Sequence, residues 1–389
     1  MQPTGVLETS KATNPLKALL GYGQSMWLDY IRRDLLTSGQ LKTMIEEDGL
    51  RGMTSNPSIF EKAIGDSSLY DDILKSLASR NDLDTTGRYE QIAIRDIQDA
   101  ADVLRPVYES SQFKDGYVSL EVSPLLATKT QETIDEGQRL WKAVSRENVM
   151  IKVPGTAEGL PAIRQLIGDG INVNVTLLFA QEVYEKVAEA YILGVEDLAK
   201  RGGNLKKMAG VASFFISRID SLVDSMIDDK LKTADAAQQT LLKSLKGKVA
   251  IANGKLTYQR YQKIFSGPRW EALASKGAQT QRVLWASTST KNPAYRDVMY
   301  IEELIGPDTV NTMPPATIDA FRDHGKLRNS LTEDVAGAQK VMSDLAKAGI
   351  AISEVTTKLT NDGVKLFADA FHKLLAVVEK STQTKGKTA

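Results

Sequence analysis

The chain has 389 residues, 42% of them hydrophobic, and its 49 basic and 49 acidic side chains cancel to zero formal charge. That balance gives no global pull on nucleic acid or an anionic membrane, and no run approaches the ~18 apolar residues of a membrane span, so any basic surface is local, as a phosphate pocket would be. Cysteine is absent and the two histidines, His324 and His372, have no partner at ligand spacing, so disulfides, thiolate nucleophiles and a metal site are not expected.

In chain order, MQPTGVLETSKATNP at residues 1–15 carries no apolar core of a secretory signal, which together with the lack of cysteine fits a cytoplasmic protein. Helical pattern precedes Ser25 and fills residues 61–112. Strand-like segments recur at 26–30, 50–54, 117–122, 149–154, 171–176, 210–215, 282–287 and 310–313. Most are followed by helical spacing, as in Val183, Val187, Tyr191, Val195 and Leu198. Residues 221–281 are too long for one crossover and break at Ser266-Gly267-Pro268, so they read as inserted helices. The last apolar stripe is Val364, Phe367, Phe371, Leu374, Leu375 and Val378, and 381–389 reads as a flexible polar tail.

Eight strands alternating with helices predict an α/β fold, a (β/α)8 TIM barrel with additional helices, as one domain over residues 1–380. The alternation inside the strands supports a barrel over an open sheet. In Ile171-Asn172-Val173-Asn174-Val175-Thr176 and Val149-Met150-Ile151-Lys152-Val153, apolar and polar positions alternate with period two. An open doubly wound sheet has helices on both faces and two apolar faces. Here one face carries Glu121, Lys152, Asn172, Asn174 and Thr176.

Lys152 is the chemically loaded position. Burial disfavours an ammonium, and a neutral amine attacks a ketone to form an imine. The alternative is a lysine paired with a carboxylate inside the sheet. Imine chemistry needs a proton shuttle, for which Glu121, one strand earlier on the same face, is a candidate, with Thr176 a candidate holder for the bridging water. Asp29, near the end of the first strand, is a candidate second acid/base; its alternatives are a helix cap or an ion pair with Arg32 or Arg33. Asn56 and Asn174 suit a hydroxylated substrate, although Asn56 before Pro57 also fits a simple turn. Arg218 and Lys291, among the hydroxyls after the sixth and seventh strands, suggest a phosphate cradle; Arg218 equally fits a pair with Asp220 or Asp224.

WLDYIRRDL, MTSNPSIF, SLEVSP, IKVPGT, NVNVTLLF, SFFISRID and ASTSTKNP, in this order, resemble the transaldolase family in its longer bacterial form. The resemblance covers residues 14–378. It implies a Schiff base on Lys152, acid/base roles for Glu121 and Asp29, and a water held by Glu121 and Thr176. It implies substrate contacts at Asn56, Asn174, Ser213 and Phe215, and phosphate contacts at Arg218, Ser289 and Lys291. Relatives often carry arginine at the position of Lys291; lysine keeps the charge and loses the bidentate fork. The implied reaction takes a dihydroxyacetone unit from sedoheptulose 7-phosphate to glyceraldehyde 3-phosphate, giving erythrose 4-phosphate and fructose 6-phosphate, with no cofactor. Sugar phosphates are the expected partners, nucleic acid and membrane are not, and the protein is expected as a monomer or homodimer. Two rivals stay open: a class I aldolase releasing free dihydroxyacetone, and a silent sugar-phosphate-binding barrel.

Overall fold

The computed structural model describes residues 14–386. Its strands are β1 (Gln24–Asp29), β2 (Gly52–Thr54), β3 (Tyr117–Glu121), β4 (Val149–Pro154), β5 (Val173–Leu178), β6 (Gly210–Phe215), β7 (Arg282–Ala286) and β8 (Thr309–Met313). Each pairs in parallel with the next, and β8 returns to β1, so the sheet closes in chain order. This is the (β/α)8 barrel with surrounding helices that the alternation predicts.

The boundaries differ where side chains intervene. β5 runs Val173–Leu178 instead of 171–176. Gly170 turns the chain at a φ of +82° just before it. Asn172 donates to the carbonyls of Glu147 at 2.9 Å and Val149 at 3.1 Å, and accepts from the Ala209 amide at 2.9 Å. It therefore ties the N-terminal ends of β4, β5 and β6 together, away from the C-terminal ends of the strands. At its other end β5 carries a bulge between Val175 and Leu178, with Leu177 at a φ of +61°. A non-glycine residue in that region costs about 1–3 kcal/mol and is kept only where the surroundings hold it.

Two features fix the barrel interior. The Trp27 ring lies on Gly52, where a Cβ would come within 2.5 Å of Cε2. At the N-terminal end, Arg282 donates to Asp115 at 2.8 Å and to the Ser25 hydroxyl at 2.8 Å. Ser25 donates to Asp115 at 2.7 Å, so a buried ion pair plugs the floor.

The stretch 221–281 is helical as expected, with helices Ser217–Leu231, Ala236–Leu245, Val249–Ile264 and Pro268–Ala274. The break is Gly267, at a φ of +96°, with Pro268 opening the next helix. The last helix, Ile352–Gly386, packs on the helices Pro57–Gly65 and Asp71–Ala78. It corrects the tail expected from residue 381. Thr382 is buried, and its hydroxyl donates to the carbonyls of Val378 and Glu379, both at 2.9 Å. No glycine or proline interrupts 379–385, so the helix continues past the end of its apolar stripe. Residues 1–13, where the absence of a signal is read, and 387–389 lie outside the described residues. No helix among the described residues is long and apolar enough to cross a membrane.

Candidate active site

The C-terminal ends of the strands open into a cavity of about 260 Å³. Asp29, Asn56, Lys152, Asn174, Thr176, Ser213, Phe215, Arg218, Ser289 and Lys291 line it, so ten of the eleven expected residues converge there. The eleventh, Glu121, does not line the cavity itself and meets it through its contact with Lys152.

Register explains the convergence. Glu121 pairs with Lys152 across β3 and β4, and Lys152 with Asn174 across β4 and β5. Three neighbouring strands thus present a carboxylate, an amine and an amide at one level, pointing inward. Lys152 is 6% exposed. Its Nζ donates to the Ser55 carbonyl at 2.7 Å and to Glu121 Oε2 at 3.2 Å. The ring centroid of Phe367 is 5.8 Å from Nζ. Lys152 therefore has both a carboxylate partner and a face on the cavity, uniting the two readings left open for it.

Burial raises the Glu121 carboxyl above the usual range, and the positive charge and hydrogen bond of Lys152 hold it back. Asp29 is raised by burial too, and the hydrogen bond from Thr54 opposes this. Thr54 donates to Asp29 at 2.7 Å and shares 2.8 Å with the Thr312 hydroxyl. Neither arginine considered for Asp29 pairs with it: Arg32 binds Asp34 and Arg33 binds Asp96.

Asn174 donates to the Ser119 hydroxyl at 3.1 Å and accepts from Ser213 at 2.7 Å. Thr176 Oγ1 is buried with no hydrogen-bond partner among the described residues, so it suits a water or a substrate hydroxyl. Asn56 is indeed a turn residue: its Oδ1 accepts from the Ile59 amide at 3.1 Å and caps Pro57–Gly65. The same side chain still borders the cavity.

The cationic rim differs from the pairing considered for Arg218. Asp220 accepts from the Ala250 amide and the Tyr300 hydroxyl, and Asp224 from the Gly247 amide and the Tyr295 hydroxyl. With both carboxylates engaged, Arg218 has no acidic partner among the described residues, and its guanidinium lies 5.2 Å from the Phe215 ring centroid. Burial lowers its pKa. Lys291 donates to the Ser289 hydroxyl at 2.6 Å, and burial and the nearby charge of Arg218 lower its pKa. The Asp29 carboxylate partly offsets the charge of Lys291 but makes no ion pair with it among the described residues, and two cations this close suit an anion such as a phosphate. Ser217 and Ser287, with hydroxyls 2.9 Å apart, join the helix bearing Arg218 to the loop bearing Ser289 and Lys291.

The family described as Transaldolase/Fructose-6-phosphate aldolase matches residues 26–378. The chain belongs to this family. It is 49% identical over 376 residues to a transaldolase of Trichodesmium erythraeum, covering 95% of this chain and 98% of that protein. It is 48% identical over 372 residues to a transaldolase 2 of Nostoc sp., covering 95% and 97%. A transaldolase of Frankia alni is 44% identical over 375 residues, covering 96% and 99%.

Within this transaldolase/fructose-6-phosphate aldolase barrel, sequence reasoning missed Thr54, Thr312, the Ser55 carbonyl and Phe367. Thr54 carried a signal, since it shares the inward face of β2 and faces Asp29 in register. Phe367 carried none, because its spacing reads as an ordinary core stripe.

Proposed function

We propose that this protein is a transaldolase that moves a dihydroxyacetone unit between sugar phosphates through a Schiff base on Lys152. The observation that carries the reading is the buried Lys152 amine, 3.2 Å from Glu121, on a cavity that also holds Asp29 and the cations Arg218 and Lys291.

Glu121, with its raised carboxyl pKa, takes a proton from Lys152 and frees the amine. The amine attacks C2 of the ketose phosphate. The carbinolamine loses water with a proton returned from Glu121, Thr176 holding that water. Asp29 takes the proton of the C4 hydroxyl as the C3–C4 bond breaks, and the electron pair passes into the protonated imine. The aldose phosphate leaves, and the three-carbon enamine stays on Lys152. A second aldose phosphate then adds: the enamine carbon attacks its carbonyl carbon, and Asp29 returns the proton to the new hydroxyl. Water adds to the imine, the carbon–nitrogen bond breaks, and the new ketose leaves with the free amine restored.

Asn56, Asn174 and Ser213 orient the hydroxyls, and Arg218, Ser289 and Lys291 hold the phosphate. The imine is the electron sink, so the scheme draws on no cofactor. Sedoheptulose 7-phosphate and glyceraldehyde 3-phosphate are the proposed substrates, in the non-oxidative pentose phosphate pathway of the cytoplasm.

Borohydride reduction in the presence of fructose 6-phosphate, followed by peptide mapping, tests the reading. The three-carbon adduct is expected on Lys152. Lys152→Ala should lose the adduct and at least roughly a thousandfold of the transfer rate. Labelling at another lysine would overturn the assignment. Stoichiometric free dihydroxyacetone in the presence of an acceptor would make the protein an aldolase instead.

A further inference from the structure

The walls of the cavity formed by the strands are polar around Lys152, but the side above its amine is not. The helix Ile352–Gly386 crosses there and presents Phe367, whose ring centroid is 5.8 Å from Nζ. Resting on the Schiff-base reading above, we propose that Phe367 is a water-shielding residue that sets how the fragment held on Lys152 divides between transfer and hydrolysis.

The helix is fastened on both sides of the mouth. On one side Gly363 meets Leu177 of the β5 bulge, so closely that a Cβ would lie 2.9 Å from Leu177 Cδ2. On the other side Gly65 faces Val377, where a Cβ would lie 3.3 Å from Cγ1. Gly65 ends the helix that Asn56 caps, so this contact reaches back to the substrate site. One turn along from Phe367, Phe371 packs edge-on against Tyr89 at 6.0 Å between centroids. These contacts hold the ring over the amine as a fixed cover. They also give the strained backbone of Leu177 a use: the bulge turns that side chain toward Gly363 and docks the helix.

The enamine on Lys152 has two exits. In transfer, its nucleophilic carbon bonds to the acceptor aldehyde carbon, and the aldehyde oxygen takes a proton. In hydrolysis, that carbon takes a proton, water adds to the imine carbon, and the carbon–nitrogen bond breaks. The second exit consumes one water and releases dihydroxyacetone and the free amine. An apolar ring over the nitrogen keeps bulk water off, and its face favours the cationic imine. The water needed to release product stays on the polar side, near Glu121 and Thr176.

The test is a partition ratio, read with fructose 6-phosphate as donor and erythrose 4-phosphate as acceptor. Free dihydroxyacetone is measured with a coupled reductase, and sedoheptulose 7-phosphate by mass spectrometry. Phe367→Gln, similar in reach but polar, should raise dihydroxyacetone per transfer by about tenfold. Phe367→Ala, which opens the same space, should raise it as well. Phe367→Leu keeps the cover apolar and should hold the ratio within about twofold of the parent. Borohydride labelling of Lys152 in each variant shows that the site is intact. Unchanged ratios in labelled Gln or Ala variants would overturn the proposal, as would a Leu variant that leaks like Gln. Loss of label in the parent protein would instead sink the Lys152 reading itself.

Discussion

Asp29 and Glu121 are both raised by burial, yet their leading counterweights differ: the Thr54 hydroxyl ahead of the Lys152 and Lys291 charges for Asp29, the Lys152 cation for Glu121. The acid limb of the pH–rate profile should therefore lie above the ordinary carboxylate range, since each group must shed its proton to act as a base. Thr54 lowers the Asp29 pKa by donating to the carboxylate at 2.7 Å. Thr54→Val removes that donor, so the carboxylate loses support and its pKa rises further. The acid limb of kcat/KM should move to higher pH, with the rate at high pH changed less than the rate at low pH. A limb that stayed in place, or moved to lower pH, would remove Asp29 from the pH-limiting step.

Strand alternation made most of the site legible before any coordinates. Lys152, Asn174 and Glu121 are polar residues among aliphatic neighbours, and period two alone puts them on one face. What the alternation does not reach is anything set by backbone or by a distant helix. The Ser55 carbonyl that receives Lys152 is a main-chain group, invisible in side-chain identity. Phe367 lies 215 positions after Lys152, and its spacing with Phe371 and Val378 says that a face is buried without saying what lies under it. Gly52 is legible only in hindsight, as the flat spot beneath Trp27. Gly52→Ala puts a methyl group 2.5 Å from that ring. It should cost about 1–3 kcal/mol in urea unfolding, the usual range for overpacking. A neutral result would mean that the indole swings aside freely.

At the scale of the whole molecule, two buried charge clusters give opposite responses. The Arg282–Asp115 pair joins β7, the segment before β3 and, through Ser25, β1. Asp115→Ala leaves a guanidinium buried and unpaired, and should destabilise the barrel by about 3–5 kcal/mol. Chemical denaturation reads this directly, and a loss below about 1 kcal/mol would show that water reaches the floor. Asp220 works the other way. Burial pushes its pKa up to about 7, against hydrogen bonds from the Ala250 amide and the Tyr300 hydroxyl. Between the unfolded value near 4 and that raised value, the folded state binds more protons, so this group's contribution to stability falls as pH rises. Asp220→Asn removes the titration. Relative to the parent, the variant should gain more than about 1 kcal/mol on going from pH 5 to pH 8. A pH-independent difference would show that Asp220 titrates alike in both states.

The seam between β1 and β8 has a consequence for biosynthesis. Gln24 and Thr309, hydrogen-bonded across it, stand 285 positions apart. On the ribosome, at about 5–20 residues per second, the first strand waits roughly fifteen seconds to a minute for its last neighbour. Throughout that interval one edge of the nascent sheet is open to pairing with any other extended chain, so the enzyme's yield in a crowded cell depends on whatever keeps that edge covered.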